Sequence, residues 1–312
     1  MKVLVTGGAG FVGTNLIKKL LKDGYEVISV DNYSTGKKEN HQEGCRYYEN
    51  DLSSDHILGI YVDHGTYPSW RDDEFDVIFH LAALARIQPS FEEPVETFKA
   101  NVVSTMNIME LAKKKNIPVV YAGSSSAHGD LYSNPYTFSK WQGEEVVKMY
   151  NSVFNVTSAI CRFYNVYGPD QLVDGPYCTV IGIFEEQFKA GEPLTPTWDG
   201  EQRRDFTHVY DIVDGLVKCG NSLLDDKEQP DNIAGSMVNG QTLELGSGIN
   251  YSINEFCDMF GKDYPRKSLP KRDGEMRETL CDTQPAKELI GYNPKMNLEE
   301  YVKDFVEIQK NG

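Results

Sequence analysis

A glycine-rich turn between a strand-like run and a helix-like run constrains the fold of this chain more than any other feature. The β-branched run KVLVT (2–6) is followed by GGAGFVG (7–13) and by the amphipathic run TNLIKKLLKDG (14–24). A second short apolar run, EVISVD (26–31), completes a strand, helix, strand unit. This order predicts two parallel strands joined by a helix, with the glycines at the carboxyl end of the first strand.

The glycine turn predicts a site for a dinucleotide. It satisfies GxxGxxG at Gly7, Gly10 and Gly13, and also GxGxxG from Gly8. Glycine lets the backbone turn tightly and approach a pyrophosphate, and the N-terminus of the next helix offers free N–H groups to the anion. Asp31 ends the second strand, where a carboxylate would accept the ribose hydroxyls. Because no arginine follows Asp31 directly, the acid favours NAD over NADP, whose 2′-phosphate would meet like charge.

The alternation of short and long runs continues through the first half of the chain. Further strand-like runs lie at 76–83, 119–125 and 157–163, and helix-like runs lie between them at 96–115 and from Pro135 onward. Repeated strand and helix units of this kind form parallel sheets that helices cover on both faces. The sequence therefore predicts an α/β protein with a Rossmann-like, doubly wound parallel sheet.

The regular pattern ends after the run at 157–163. Residues 166–205 are rich in Gly, Pro and Asp, and the remainder mixes short helix-like runs with loops. We predict a NAD-binding domain over residues 1–165, rejoined by a segment after residue 205, and a smaller mixed substrate-binding lobe over residues 166–312.

The composition excludes several classes of partner. A net charge of −16 argues against nucleic acid and anionic membranes, because both would be repelled, so an anionic ligand would need a local group of basic side chains. The six cysteines show no CxxC and no metal-ligand spacing, which predicts reduced thiols and no metal site. We expect a soluble, cytoplasmic protein, since the chain has no signal-peptide pattern and no run of 18 apolar residues.

The stretch GSSSAHGDLYSNPYTFSK combines a run of serines with a tyrosine and a lysine. Pro135 is a good first helical residue, and in a helix Tyr136 and Lys140 share one face. A cation beside a phenol favours the phenolate, so Tyr136 could serve as a general base. The spacing alone is weak, because Tyr33 and Lys37 repeat it within the turn-rich run DNYSTGKK, where a solvated surface pair is expected.

These motifs together resemble the extended short-chain dehydrogenase/reductase family, and within it the sugar-nucleotide 4-epimerases typified by UDP-glucose 4-epimerase. The resemblance extends from Val3 to about Pro294. It rests on the ordered motifs TGGAGFVG, DNYSTG, HLAA, GSSSAHG, YTFSK, RFYNVYGP, GEQRRDFTHVYD and KRDGEMRETLCD. It implies NAD as cofactor, a UDP-sugar as substrate, and a homodimer in which the runs 96–115 and 135–151 pair across a two-fold axis.

The resemblance also implies roles for individual residues. Tyr136 would take a proton from a sugar hydroxyl, Ser124 would assist it, and Lys140 would hold the nicotinamide ribose. Asp51 and Leu52 would flank the adenine. The cofactor residues that it implies, besides Tyr136 and Lys140, are Gly7, Gly10, Phe11, Val12, Gly13, Asp31, Asn32, Ser34, Thr35, Gly36, Asp51, Leu52, Leu81, Ala82, Ala83, Asn101 and Phe163.

The substrate residues carry over in the same way. Asn165, Arg204 and Arg272 match positions that bind the diphosphate, although each arginine could instead form a surface ion pair. Thr279 matches a position beside the C2 substituent of the sugar, where a small residue would admit an N-acetyl group. The full set of implied substrate residues is Arg86, Ser124, Ser125, Tyr136, Asn165, Arg204, Arg272 and Thr279.

Two departures from the family pattern lie close to the predicted site. The interval from Gly129 to Tyr136 is short, and His128 stands where a tyrosine is usual. The resembling 4,6-dehydratases and uronate decarboxylases carry acids after the catalytic serine, whereas this chain has Ser125 and Ser126. We therefore expect C4 epimerisation of UDP-glucose and UDP-N-acetylglucosamine. The alternatives are a UDP-glucuronate 4-epimerase, a 4,6-dehydratase, and a noncatalytic NAD-sensing protein on the same fold.

Overall fold

The computed structural model describes residues 1–54, 69–173, 175–228 and 238–311. Its strands, in chain order, are β1 (Lys2–Thr6), β2 (Glu26–Asp31), β3 (Cys45–Glu49), β4 (Val77–His80), β5 (Val119–Ser124), β6 (Ser158–Phe163), β7 (Val166–Tyr167), β8 (Arg203–Asp205), β9 (Thr207–His208), β10 (Thr242–Leu245) and β11 (Asn250–Ser252).

The α-helices are α1 (Phe11–Lys22), α2 (Ile87–Glu92), α3 (Pro94–Phe98), α4 (Ser104–Lys115), α5 (Pro135–Phe154), α6 (Val180–Lys189), α7 (Val209–Glu228), α8 (Ile253–Met259), α9 (Gln284–Ile290) and α10 (Leu298–Asn311). A π-helical turn, Lys99–Val103, joins α3 to α4, so the run at 96–115 is helical throughout, as predicted.

A seven-stranded sheet lies at the centre of the described structure. Its order is β10-β6-β5-β4-β1-β2-β3, and each neighbouring pair is parallel. The strand order reverses between β1 and β4, and ligands of open α/β sheets bind outside the carboxyl ends of the strands at such a point. The predicted fold class is therefore confirmed, and the fold itself locates a cleft beyond β1 and β4.

Apolar side chains cover both faces of this sheet. Successive residues of a strand point to opposite faces, so Val3 and Val5 pack with Leu16 of α1 on one face while Leu4 packs with Ile108 of α4 on the other. Both faces are buried, which explains why the strands read as continuous apolar runs rather than alternating ones.

A separate aromatic cluster stabilises the smaller lobe. Phe184 of α6 packs against Phe256 and Phe260 of the α8 region, and Val302 of α10 closes the cluster. The chain leaves this lobe after β9, because α7 packs on the sheet and β10 becomes the strand next to β6. The domain boundary at 165/166 stays a prediction.

Among the described residues, no helix combines the length and the apolar character needed to cross a membrane. The same residues contain no group of His, Cys, Asp and Glu side chains placed to hold a metal ion.

Candidate active site

One cavity of about 520 Å³ extends from the glycine turn, past the carboxyl end of β5, to the smaller lobe. All the predicted substrate residues line it, and so do the predicted cofactor residues other than Gly36 and Asn101. Residues more than 270 positions apart in the chain, such as Gly7 and Thr279, thus face a common space.

Gly36 and Asn101 are not among the residues that line the cavity, and their role in cofactor binding stays a prediction. A Cβ at Gly36 would stand 2.9 Å from the carbonyl carbon of Ala9, so the glycine allows its loop to pack on the glycine turn. The Asn101 side chain donates to the Leu84 carbonyl at 3.1 Å and accepts from the Leu84 N–H at 2.8 Å. Each residue therefore contacts a segment next to the cavity lining.

The glycine turn forms a cradle that larger residues could not form. Gly7 has φ +69, and a Cβ on Gly13 would lie 2.2 Å from the Gly7 carbonyl oxygen. No side chain in the described part of the chain caps the N-terminus of α1 at Gly10, so the first N–H groups of the helix can bind a ligand in the cavity. This combination suits a pyrophosphate.

Asp31 is held in place by backbone groups. Its Oδ2 accepts the N–H of Ala9 at 2.9 Å and its Oδ1 accepts the N–H of Tyr33 at 2.8 Å. Burial raises the pKa of Asp31, and these backbone hydrogen bonds oppose the rise. Each carboxylate oxygen has a further lone pair, so the residue can still accept hydroxyl groups from a ribose.

The predicted helix start brings Tyr136 to the serine run. The Asn134 side chain caps α5 by accepting the N–H of Thr137 at 2.8 Å, and Pro135 is the first helical residue. The Tyr136 hydroxyl donates to Ser124 Oγ at 3.1 Å. Ser124 Oγ also accepts the N–H of Ser126 at 3.2 Å, which fixes its orientation at the end of β5.

Lys140 lies in the same cavity wall but is bound to β5. Its ammonium donates to the Ala122 carbonyl at 2.6 Å and to the Tyr121 hydroxyl at 3.1 Å. An ammonium group has three N–H donors, so one remains for a ligand. Burial lowers the pKa of Lys140 to about 8, and the charge of Glu144 opposes the shift.

The electrostatics of Tyr136 differ from the sequence expectation. Burial raises the pKa of Tyr136, while the hydrogen bond with Ser124 and the charge of Arg86 lower it. The charge of Arg86 is thus a cation effect on this phenol that the sequence did not indicate. The ammonium of Lys140 donates to Ala122 and Tyr121.

Arginines line the far part of the cavity without carboxylate partners. Within the described part of the chain, Arg86, Arg204 and Arg272 form no salt bridge; Arg86 donates to the Tyr177 carbonyl and Arg204 to the Arg203 carbonyl, both at 2.8 Å. These cations give an acidic protein a local site for an anion.

Asp205 does not neutralise Arg204, although the two residues are adjacent in the sequence. Its carboxylate is fully buried and accepts the N–H groups of Ser247, Gly248 and Cys281 at 2.9–3.1 Å. The pKa of Arg204 is lowered by burial, an effect that the charge of Glu275 opposes. The alternative of a surface ion pair with Asp205 is excluded for Arg204.

Comparison with known proteins places the chain in a family. Residues 3–233 match the model of the NAD dependent epimerase/dehydratase family. The chain belongs to this family. A putative UDP-glucose 4-epimerase of Methanocaldococcus jannaschii is 30% identical over 328 residues, which cover 99% of each chain. UDP-glucuronic acid decarboxylase 6 of Arabidopsis thaliana is also 30% identical, over 96% of this chain and 86% of that protein.

Solved structures agree with this assignment. The crystal structure of UDP-glucose 4-epimerase from Thermotoga maritima with UDP-glucose matches with a TM-score of 0.84 and 27% identity, covering 100% of this chain and 99% of that one. As a member of this NAD-dependent family, the protein is an enzyme whose cofactor is NAD. The glycine cradle, the free N–H groups of α1 and Asp31 fit that cofactor.

Other residues of this family member line the cavity but were not found from the sequence. Thr197, Gln202, Phe206 and Ile253 form part of its wall in the smaller lobe. Gln202 is 2% exposed; its amide nitrogen donates to the carbonyl and the hydroxyl of Thr197, and its Oε1 has no hydrogen-bond partner among the described residues. Gln202 could have been proposed from the sequence because it lies in the motif GEQRRDF, two residues before Arg204.

Thr279 of this enzyme borders the cavity and also has a structural role. Its hydroxyl accepts the N–H of Asp205 at 3.2 Å and the side-chain amide of Asn165 at 3.3 Å. The residue is 9% exposed. It thus fixes the loop around residues 275–279 to β8 while its neighbour Asn165 lines the cavity.

The family motifs also contain two histidines, which are hydrogen-bonded and uncharged. His80 joins Thr6 at 2.7 Å and Thr105 at 3.1 Å, and burial lowers its pKa to about 3. His208 accepts the N–H of Tyr210 at 3.1 Å, and burial lowers its pKa to about 4. These contacts are structural hydrogen bonds.

Proposed function

We propose that the enzyme is a UDP-hexose 4-epimerase that interconverts UDP-glucose with UDP-galactose and UDP-N-acetylglucosamine with UDP-N-acetylgalactosamine. The observation that carries the proposal is the position of the Ser124 and Tyr136 hydroxyl pair. It lies in one cavity with the glycine cradle and with Arg204 and Arg272, which form no salt bridge with the residues that the structure describes. A nucleotide sugar held by its diphosphate at the arginines would present its sugar to this pair.

The chemistry follows from the groups in that cavity. Tyr136, as the phenolate, takes the proton of the 4-hydroxyl, and Ser124 donates to the same oxygen and orients it. NAD, when bound, supplies a hydride acceptor that can return the hydride to either face of a ketone. Lys140 would hold the ribose of that cofactor with its remaining N–H. Proton transfer in the reverse direction from Tyr136 completes the epimer.

The absence of a further acid beside Ser124 supports epimerisation over elimination or decarboxylation. Of the described residues, the carboxylates that line the cavity are Asp31, Asp51 and Glu275. Asp31 lies at the predicted ribose site, Asp51 at the predicted adenine site, and Glu275 beside Arg204. Ser125 and Ser126 carry hydroxyl groups that do not ionise near neutral pH, so they offer a 4-keto sugar no carboxylate for elimination or decarboxylation.

Thr279 supports acceptance of both hydroxyl and N-acetyl groups at C2. Its small side chain borders the cavity, and a larger residue there would occupy ligand space. A pocket that fits the N-acetyl group also tolerates the smaller hydroxyl, because a pocket discriminates poorly against a ligand that underfills it.

The proposal is tested by incubating the purified enzyme with each UDP-sugar and no added NAD, and by separating the epimers chromatographically. We expect interconversion of both pairs, and release of NAD when the protein is denatured, since the cofactor is regenerated in each turnover. Recovery of NADP alone, or release of CO₂ from UDP-glucuronate without epimerisation of either sugar pair, would overturn the proposal.

We also propose that the enzyme is a homodimer formed through α4 and α5. Apolar side chains on these helices are exposed, including Met106 at 43% and Val153 at 62%. Exposed apolar helix faces of this kind are commonly covered by a symmetric partner. Sedimentation equilibrium at micromolar concentration should give twice the chain mass of 35.2 kDa. Val153→Glu should shift the equilibrium toward monomer, and a monomeric parent protein would contradict the proposal.

A further inference from the structure

A buried carboxylate lies behind the serine and the lysine of the site. The Glu144 side chain has no exposed surface, and it follows Lys140 by one helical turn on α5. Its Oε1 accepts the backbone N–H of Ser124 at 3.3 Å. A Cβ at position 123 would stand 2.7 Å from this oxygen, so Gly123 is what allows the carboxylate to approach the end of β5.

Arg162 on β6 holds this carboxylate in a forked contact. Its Nε lies 3.1 Å from both Glu144 oxygens and its Nη2 lies 2.7 Å from Oε2. Its Nη1 donates to Glu244 of β10 at 3.1 Å. Arg162 thus joins two carboxylates, in the geometry that a guanidinium presents best.

The second carboxylate holds the other end of the serine turn. Glu244 lies 2.9 Å from His128 Nε2 and also accepts the hydroxyl of Tyr164. The 3-10 turn Ser125–His128 is therefore bound at its start through Glu144 and at its end through Glu244, with Arg162 between them. His128, which stands where a tyrosine is usual in the resembling family, makes the last contact in this series of hydrogen bonds.

The cluster has a net charge that acts on Lys140. Two carboxylates and one guanidinium leave one negative charge. The other titratable groups that face Lys140 are Tyr136 on its own helix, Tyr121 on β5 and His80 on β4. Burial raises the pKa of both tyrosines and lowers that of His80, and Glu144 is the carboxylate whose charge favours the ammonium form of Lys140.

We propose that Glu144 is a positioning residue, which fixes Ser124 at the catalytic turn and maintains Lys140 as an ammonium able to bind the cofactor. The count of donors explains why the charge matters. An ammonium has three N–H groups, of which two bind Ala122 and Tyr121. A neutral amine has only two, so it would have none left for the ribose of NAD.

The experiment compares Glu144→Gln with Glu145→Gln, a matched control on the next residue. Glu145 is half-exposed and pairs with Lys148 at the surface, away from the cavity. The retained NAD is measured after gel filtration from pH 7 to pH 9.5, and the pH profile of kcat/KM is recorded for the epimerase reaction. Removing the negative charge lowers the pKa of Lys140, so the proton is lost at lower pH.

For Glu144→Gln we expect the loss of NAD and the alkaline fall of kcat/KM to begin about one pH unit lower, a tenfold change in proton affinity, with kcat reduced at least tenfold at neutral pH. Glu145→Gln should match the parent. A uniform loss of kcat with no displacement on the pH axis would assign Glu144 a purely structural role and overturn the proposal.

Glu244→Gln keeps the test decisive if Glu144→Gln does not fold. It removes the same charge from the more distant carboxylate and leaves the Ser124 contact intact, so it should displace both profiles in the same direction by a smaller amount. No displacement would contradict the inference. The inference rests on the proposed function only for the kcat/KM measurement, because the NAD measurement needs no sugar substrate. If the parent turns over no UDP-sugar but the NAD profile shifts as stated, the proposed function fails and the role of Glu144 stands.

Discussion

The two ends of the cavity are built in different ways. The end expected to hold the cofactor is lined by the turn from Gly7 to Gly13, the start of α1 and the carboxylate of Asp31, all within the first 31 residues. The other end, proposed for the substrate, is lined by side chains from distant segments, among them Arg86, Arg204 and Arg272. Backbone hydrogen bonds specify a common group such as a pyrophosphate, whereas scattered side chains can change singly and so set which sugar is accepted.

The largest expected effect lies where the two ends meet. Tyr136→Phe removes the proton-transferring hydroxyl, so we expect turnover to fall at least 100-fold while NAD and UDP-sugar still bind, because general acid–base groups contribute roughly 10²–10⁴-fold. Initial rates and isothermal titration would measure the two properties. Tyr33→Phe is the control, since its hydroxyl bonds to His41 at 2.9 Å outside the cavity. If Tyr33→Phe lowered turnover and Tyr136→Phe did not, the assignment of Tyr136 to the active site would be wrong.

The next effect tests the substrate end separately. Arg204→Met removes an unpaired cation, and we expect KM for the UDP-sugar to rise roughly 10- to 100-fold, as for the loss of a hydrogen bond between charged groups, with NAD content unchanged. Arg277 is a matched control, because it pairs with Asp199 at 2.8 Å and stacks on Trp198 outside the cavity lining. Equal increases in KM for Arg204→Met and Arg277→Met would show that Arg204 does not contact the diphosphate.

The smallest expected effect concerns selection between sugars. Thr279→Tyr should lower kcat/KM for UDP-N-acetylglucosamine at least tenfold and leave UDP-glucose within about threefold, since only the N-acetyl group needs the space. Thr279→Ser, which keeps the hydroxyl that Asp205 and Asn165 contact, controls for the structural role. If Thr279→Tyr reduces activity on both sugars equally, the position supports the loop and does not select the sugar.

Much of the cofactor end could be predicted from the sequence because its parts are local. The glycine spacing, the start of α1 and the acid at the end of β2 lie close along the chain, and their geometry follows from one strand, turn, helix unit. Tyr136 and Lys140 could also be predicted, since Asn134 and Pro135 define the start of α5. Their partners could not, because the contacts of Lys140 with Ala122 and Tyr121 depend on how α5 lies against β5.

The sequence by itself determined the doubly wound sheet, the cofactor and many, but not all, of the residues that line the cavity. Only the tertiary structure decided which charges are free and which are neutralised. Arg204 and Asp205 are neighbours in the sequence, but successive strand residues point to opposite sides, so the arginine faces the cavity while the aspartate is buried among backbone N–H groups. The role of Glu144 could not be predicted from the sequence either. Its contacts with Ser124 and Arg162 depend on the packing of α5 against two strands.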